Sequence, residues 1–166
     1  MNECPYFCER RQNNAPEVFE LEEVEHFFFL YDLFPATPGH TLVIPKRHFS
    51  EFRQLNEAEQ AELPKAVIAL YTHLESTDLK EVYIGFREQI FAEKPSAKPF
   101  IDDTIDKLSK NNVKPEAYNH GLNDGPAAGR TVNHLHYHVM PRWQGDVEDP
   151  RGGIRHMFAG KGNYKK

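Results

Sequence analysis

Apolar and polar positions change their period several times along the chain, and each change marks an element. Residues 17–31 (EVFELEEVEHFFFLY) alternate in part and are rich in aromatic and β-branched residues. They predict two antiparallel strands with a turn near residues 22–23. Residues 32–39 carry two prolines and a glycine and read as a loop, and 40–45 read as a short strand. Asn56 is a good N-cap and Glu59 completes a capping-box pair, while Leu63, Val67, Leu70 and Leu74 share one helical face. Pro64 removes a donor from that helix, so a kink or a later start is expected there. Asp78 caps a second predicted helix over 79–93, with Leu79, Val82, Phe86 and Ile90 on one side. Pro95 and Pro99 bound a short loop, and 100–110 predict a third helix with Ile101, Ile105 and Leu108 together. Strand character returns at 117–122, a loop follows at 123–130, and TVNHLHYHVM (131–140) alternates strictly up to Pro141. Strands, then helices, then strands indicate an α+β fold with a largely antiparallel sheet.

A length of 166 residues fits one domain, 1–166, with a polar, irregular tail at 143–166. The apolar run from Phe27 to Tyr31 is far below the roughly 20 residues needed to cross a bilayer. The N-terminus, MNECPYFCERR, lacks a basic start followed by an apolar stretch, and two cysteines make no disulfide framework. A cytoplasmic protein with no membrane partner is expected. The net charge of −5 argues against a nucleic-acid polymer as partner, because such binding rests on phosphate neutralisation. Charge is uneven, however: residues 1–30 hold seven acids and two bases, and 141–166 hold six bases and three acids. The basic end suits a small anionic ligand.

Nine histidines occur in all, and four of them fall between His120 and His138. His134, His136 and His138 stand two residues apart, so on a strand they would share one face at intervals of about 6.5 Å. Leu135, Tyr137 and Val139 would then face a core. Three readings fit: a polar outer face, a metal site built from part of the row, or catalysis on a phosphorus centre. In the third, a neutral imidazole attacks and its neighbours stabilise charge.

The surrounding sequence narrows the choice. NDGPAAGRTVNHLHYHVMPR (123–142) carries the pattern His-φ-His-φ-His-φ-φ, with φ apolar and Tyr137 its less typical member. It resembles the histidine triad (HIT) superfamily of nucleotide hydrolases and transferases. DLFPATPGHTLVIPKRH (32–48) is similar to an earlier segment of that family. GDVEDPRGGIRHMFAGKGNY (145–164) is similar to a bacterial subgroup described as diadenosine tetraphosphate hydrolase-like. The resemblance covers roughly residues 3–74 and 114–164 and departs at 76–111, where extra helical sequence intervenes. It implies a HIT-like fold with a mainly antiparallel five-stranded sheet, packed helices and a two-fold homodimer.

The resemblance also implies roles for particular residues. His136 matches the nucleophile that attacks the α-phosphorus of a dinucleoside polyphosphate and forms a nucleotidyl-histidine. His138 and His40 match the histidines flanking the phosphate, and His134 matches the first histidine of the triad. Asp32 matches the group that grips the ribose, though it also suits a loop cap before Pro35. Asn123, Gly129 and Thr131 match positions near the phosphate, and Phe29, Leu30 and Leu42 suit either the walls of a base pocket or plain core packing. Arg130 stands where the family most often has Gln, and its fixed charge would favour more anionic substrates. Arg151 and Arg155 suit a clamp on distal phosphates or a solvated loop. Cys4, Cys8, His48 and His134 resemble a structural zinc site, with CxxxC in place of the usual CxxC. The chemistry itself would need no cofactor, and magnesium would enter with the substrate phosphates. Readings that share His136 are a nucleotidyl transferase or phosphorylase and a nucleoside phosphoramidase. A nucleotide-binding regulator with little turnover is the reading from another class.

Overall fold

The structure, a computed structural model, describes residues 6–110 and 114–158. Along the chain run α1 (Phe7–Gln12), β1 (Val18–Phe19), β2 (Phe27–Tyr31), β3 (Thr41–Pro45) and α2 (Glu57–Ser76). They are followed by α3 (Leu79–Glu93), α4 (Lys98–Lys110), β4 (Ala117–Gly121) and β5 (Tyr137–Arg142). The strands form one antiparallel sheet in the order β1-β2-β3-β5-β4, the α+β arrangement expected.

Register decides what each face carries. Leu30 pairs with Leu42 and Leu42 with His138, so these three side chains point the same way. Phe29, Val43 and Tyr137 form the opposite row. That second face packs on the helices through Phe27, Phe29, Tyr31, Val43 and Val139, against residues such as Leu70, Leu74, Tyr83, Phe86 and Ile101. The first face is covered at one end by α1, whose Phe7 sits on Phe28, Leu30, Leu42 and Ile44. Both faces of β2 and β3 are therefore buried, which is why FFFLY and TLVIP read as continuous apolar runs.

Several boundaries differ from the sequence expectation, each for a local reason. Helix α2 runs unbroken through Pro64, begun by the Asn56–Glu59 capping box. The carbonyl that loses its partner there belongs to Gln60, which is exposed and can be hydrated. Pro99 lies in the first turn of α4, where a missing N–H costs nothing, so the helix starts at Lys98. Tyr83 rather than Val82 is fully buried on α3, because its hydroxyl accepts from the Gly39 N–H at 3.2 Å. The final strand begins at Tyr137, not at 131, and continues through Pro141 to Arg142. Pairing between β3 and β5 ends at Thr41–Val139, so Pro141 has no β3 residue opposite it and needs no donor on that side. The tail is largely irregular, with a 3-10 turn at Gly153–Met157. Among the described residues no helix is long and apolar enough to cross a membrane.

Gly39 closes the loop that leads into β3. Its φ is +77°, and a Cβ there would lie 2.9 Å from Leu79 Cδ1 and 3.2 Å from Pro141 Cγ. Left-handed backbone and overpacking both penalise a side chain here. Gly39→Ala is expected to destabilise the protein by about 2 kcal/mol or more. Urea denaturation checks this, and an unchanged midpoint would show that the loop relaxes freely.

Candidate active site

The histidine row is not one row. Only His138 lies in the regular strand, and the backbone at 134–136 is irregular. Leu135 N–H donates to the Phe49 carbonyl at 2.6 Å, which anchors that segment beside the chain after β3. His134 is fully buried and turns toward His48, with ring centroids 4.8 Å apart. His136 and His138 stay together, with centroids at 5.1 Å, and His40 joins His138 at 5.2 Å. The structure thus divides the row into two groups that share the backbone of 134–136.

Hydrogen bonds assign the tautomers of the first group. His136 Nδ1 lies 2.7 Å from the carbonyl of His134, so Nδ1–H donates and Nε2 keeps its lone pair. Ala36 N–H donates to His40 Nδ1 at 3.2 Å, which leaves the proton of His40 on Nε2. That Nε2–H donates to His138 Nδ1 at 3.0 Å, so the proton of His138 also sits on Nε2. His138 Nε2 is buried with no hydrogen-bond partner, a costly state for a donor unless a ligand completes it. The group therefore combines a lone pair on His136 with a donor on His138.

Burial keeps these rings neutral. It is the main cause that lowers His136 and His40 below the ordinary imidazole value, and it pushes His138 down to about 4. His134 is likewise pushed down to about 4, chiefly by burial. Arg130 adds to the depression at His136, so its charge is felt there. Its Nη1 donates to the Ser50 carbonyl at 2.7 Å, and its Nε is buried without a partner. Arg130 is thus an anchored cation with one unsatisfied donor, not a solvated side chain.

The remaining expected residues distribute as follows. Asp32 caps its loop, with Oδ1 accepting the Phe34 N–H at 2.9 Å, and its Oδ2 stands 3.6 Å from His40 Nδ1. Asn123 is partly buried and its side chain lies against Gly129, whose φ of +96° ends a short turn. Thr131 is exposed. Leu30 and Leu42 are buried core side chains packed against Phe7, Phe28 and Ile44 and line no open pocket among the described residues. Arg151 pairs with Asp149 at 2.8 Å at the surface, and Arg155 stands exposed on the Gly153–Met157 turn. Sequence reasoning missed Phe7, whose ring is 5.2 Å from that of His136. Helix α1 is six residues long with one buried side chain, too short to show a period.

The second group has the chemistry of a metal site. His134 Nε2–H donates to the Pro45 carbonyl at 2.9 Å, leaving Nδ1 as a lone pair. Cys8 Sγ stands 3.6 Å from that Nδ1 and 3.9 Å from His48 Nδ1. Thiolate and imidazole bound to one tetrahedral zinc would be about 3.5 Å apart, from bonds of roughly 2.3 and 2.0 Å. Three of the four expected ligands therefore fit, and Cys4 lies outside the described residues.

With this geometry in hand, comparison with known proteins is direct. The model of the HIT domain matches residues 12–145. The chain belongs to the HIT family. A HIT-like protein of Methanocaldococcus jannaschii, itself described as uncharacterized, is 28% identical over 142 residues, 86% of this chain and 81% of that one. The AP-4-A phosphorylase of Mycobacterium tuberculosis is 31% identical over 142 residues, 85% of this chain. The HIT chain spans 55% of that enzyme's length. A crystal structure of a Zn-bound histidine triad family protein from Mycobacterium smegmatis superposes with a TM-score of 0.52 at 25% identity. That match covers 86% of this chain and 78% of the other.

Proposed function

We propose that this HIT protein hydrolyses a phosphoanhydride of a dinucleoside polyphosphate through a nucleotidyl-histidine. The observation that carries the reading is the 2.7 Å bond from His136 Nδ1 to the His134 carbonyl. It leaves Nε2 as the one basic nitrogen of a buried, neutral ring. In the first step Nε2 forms a bond to the α-phosphorus, and the bond from phosphorus to the bridging oxygen breaks. The departing polyphosphate carries away the electron pair. His138 Nε2–H donates to the phosphoryl oxygens, where negative charge builds. In the second step water attacks the same phosphorus, the N–P bond breaks, and a nucleoside monophosphate leaves. Two easier displacements replace one difficult one.

Intact-protein mass spectrometry after brief mixing with diadenosine tetraphosphate tests this. The wild type is expected to gain one adenylyl group transiently and to release AMP and ATP, while His136→Ala gains none. No adduct and no turnover would sink the hydrolase and leave a binding protein. The kinship with an AP-4-A phosphorylase supports a second reading, in which orthophosphate is the acceptor. Adding phosphate would then convert the AMP product to ADP, and product analysis separates the two.

Arg130 sets the charge of the site in this reading. Arg130→Gln keeps a donor but removes the cation. It is expected to lower kcat/KM for the tetraphosphate about 10- to 100-fold, since a hydrogen bond to a charged group is worth about 1.5–3 kcal/mol. The adduct on His136 should still form. An unchanged kcat/KM would show that the guanidinium does not reach the phosphates.

We also propose a structural zinc held by Cys8, His48 and His134, with Cys4 as the fourth ligand. Zinc here would fix the 134–136 backbone that supports His136, and it would take no part in bond making. Purified protein should carry about one zinc per chain, lost in large part from Cys8→Ser, with a lower Tm after chelation. Elemental analysis and thermal unfolding read both outcomes, and a metal-free wild type would remove the proposal.

A further inference from the structure

The sheet face that carries His138 also holds an open compartment. Met140 and Arg142 follow His138 on the same side of β5, and Asn119 stands opposite Met140 on β4. Over them lies a cavity of about 670 Å³, within the range of small-molecule sites, roughly 300–1,000 Å³. Three parts of the chain build it. They are the 36–38 loop that leads to His40, the end of the inserted helix α4, and the segment that starts at Trp143. The packed cluster beneath Phe7 and this open cavity therefore lie on either side of the His40–His138–His136 group on one face of the sheet.

We infer that this cavity receives the distal nucleoside of a dinucleoside polyphosphate, the half that leaves; the inference rests on the reading above. His136 retains one nucleotide in that reading, and the open cavity, on the far side of His138 from His136, gives room to the nucleoside that departs. Continuity supports it, because Ala36 both lines the cavity and donates its N–H to His40. Surface chemistry supports it too. Trp143, Met140, Pro38 and Leu108 give an aromatic and aliphatic wall on which a base can stack. Charge agrees with a phosphate chain at the entrance. Lys107 and Lys110 of α4 line the cavity, and the Lys107–Asp103 pair at 2.7 Å is exposed and weak. Of the acids of the wall, Asp146 is held by Arg142 at 2.6 Å, and Asp149 has the exposed Arg151 beside it at 2.8 Å. The insertion thus acquires a role: its last helix forms one side of the site for the leaving half.

Trp143 is the only tryptophan in the sequence, so its emission reports on the cavity. The His136→Ala protein, which spares the substrate, is titrated with diadenosine tetraphosphate and with adenosine 5′-tetraphosphate, and binding is followed in parallel by calorimetry. These ligands share the phosphate chain and differ by one nucleoside. A saturable change in emission with the first and little with the second is expected. In otherwise wild-type protein, Trp143→Ala should raise KM for diadenosine tetraphosphate about tenfold, from the loss of one stacked base, and leave the kinetics of the one-nucleoside compound unchanged. Val147→Glu, on the exposed rim, should have the same selective effect without touching the core. Calorimetric binding of both ligands with no difference in emission overturns the cavity and leaves the nucleotide reading intact. Binding of neither overturns both. Emission that follows protein concentration instead of ligand makes the cavity an interface between copies and overturns the inference.

Discussion

One hydrogen bond organises this protein, from the imidazole Nδ1 of His136 to the main-chain carbonyl two residues earlier. A neutral histidine has one proton for two nitrogens, and whichever nitrogen is tied to an acceptor leaves the other basic. The carbonyl of His134 can aim at the ring only because the backbone at 134–136 departs from the regular strand. Other contacts hold that departure in place. Leu135 is tied to Phe49 and His134 to Pro45, and both partners lie at the end of β3 or just after it. The fold fixes the backbone, the backbone fixes a proton, and the proton decides which nitrogen keeps its lone pair.

Burial then acts on the whole group in one direction. Each of the four imidazoles is lowered chiefly by loss of water, so none needs to shed a proton at neutral pH before it can work. Positive charge is supplied separately by Arg130, a group that stays charged at any accessible pH. The division is chemically economical. A protonated histidine beside His136 would offer the same charge, but it would disrupt the donor chain from Ala36 through His40 to His138. A guanidinium anchored on Ser50 adds the charge without entering that chain.

The sequence was most legible where one residue type repeats or one period holds. The capping box at Asn56 and Glu59, most of the apolar faces of α2 to α4 and the succession of strands, helices and strands follow from spacing alone. The histidines were legible as residues but not as an arrangement. Strict alternation from 131 to 140 implies one face, whereas contacts with distant carbonyls turn His134 away from His136. No local pattern encodes the carbonyl of Pro45 or Phe49. Phe7 was illegible for the opposite reason, since one buried side chain on a six-residue helix has no period to detect. Arg151 shows a third limit: its pairing with Asp149, two residues away, is visible only in the coordinates.

The inserted helices bear on both ends of the same sheet face. At one end, Arg10 of α1 bridges the buried Glu17, at 2.6 and 2.8 Å, and Glu93 of α3, at 2.6 Å. The insertion is thereby tied to the helix that carries Phe7 and Cys8. At the other end, α4 stands beside the 36–38 loop and Trp143. Between them, Tyr83 of α3 accepts the N–H of Gly39, one residue before His40. A segment added merely to an outer surface would touch the scaffold on one side and leave the loops of the site alone. This one contacts the loop that presents His40, the helix that covers Leu30 and Leu42, and the wall of the neighbouring cavity. Its placement therefore argues that α3 and α4 hold the surroundings of the histidines, while main-chain partners at residues 36 and 134 set the tautomers.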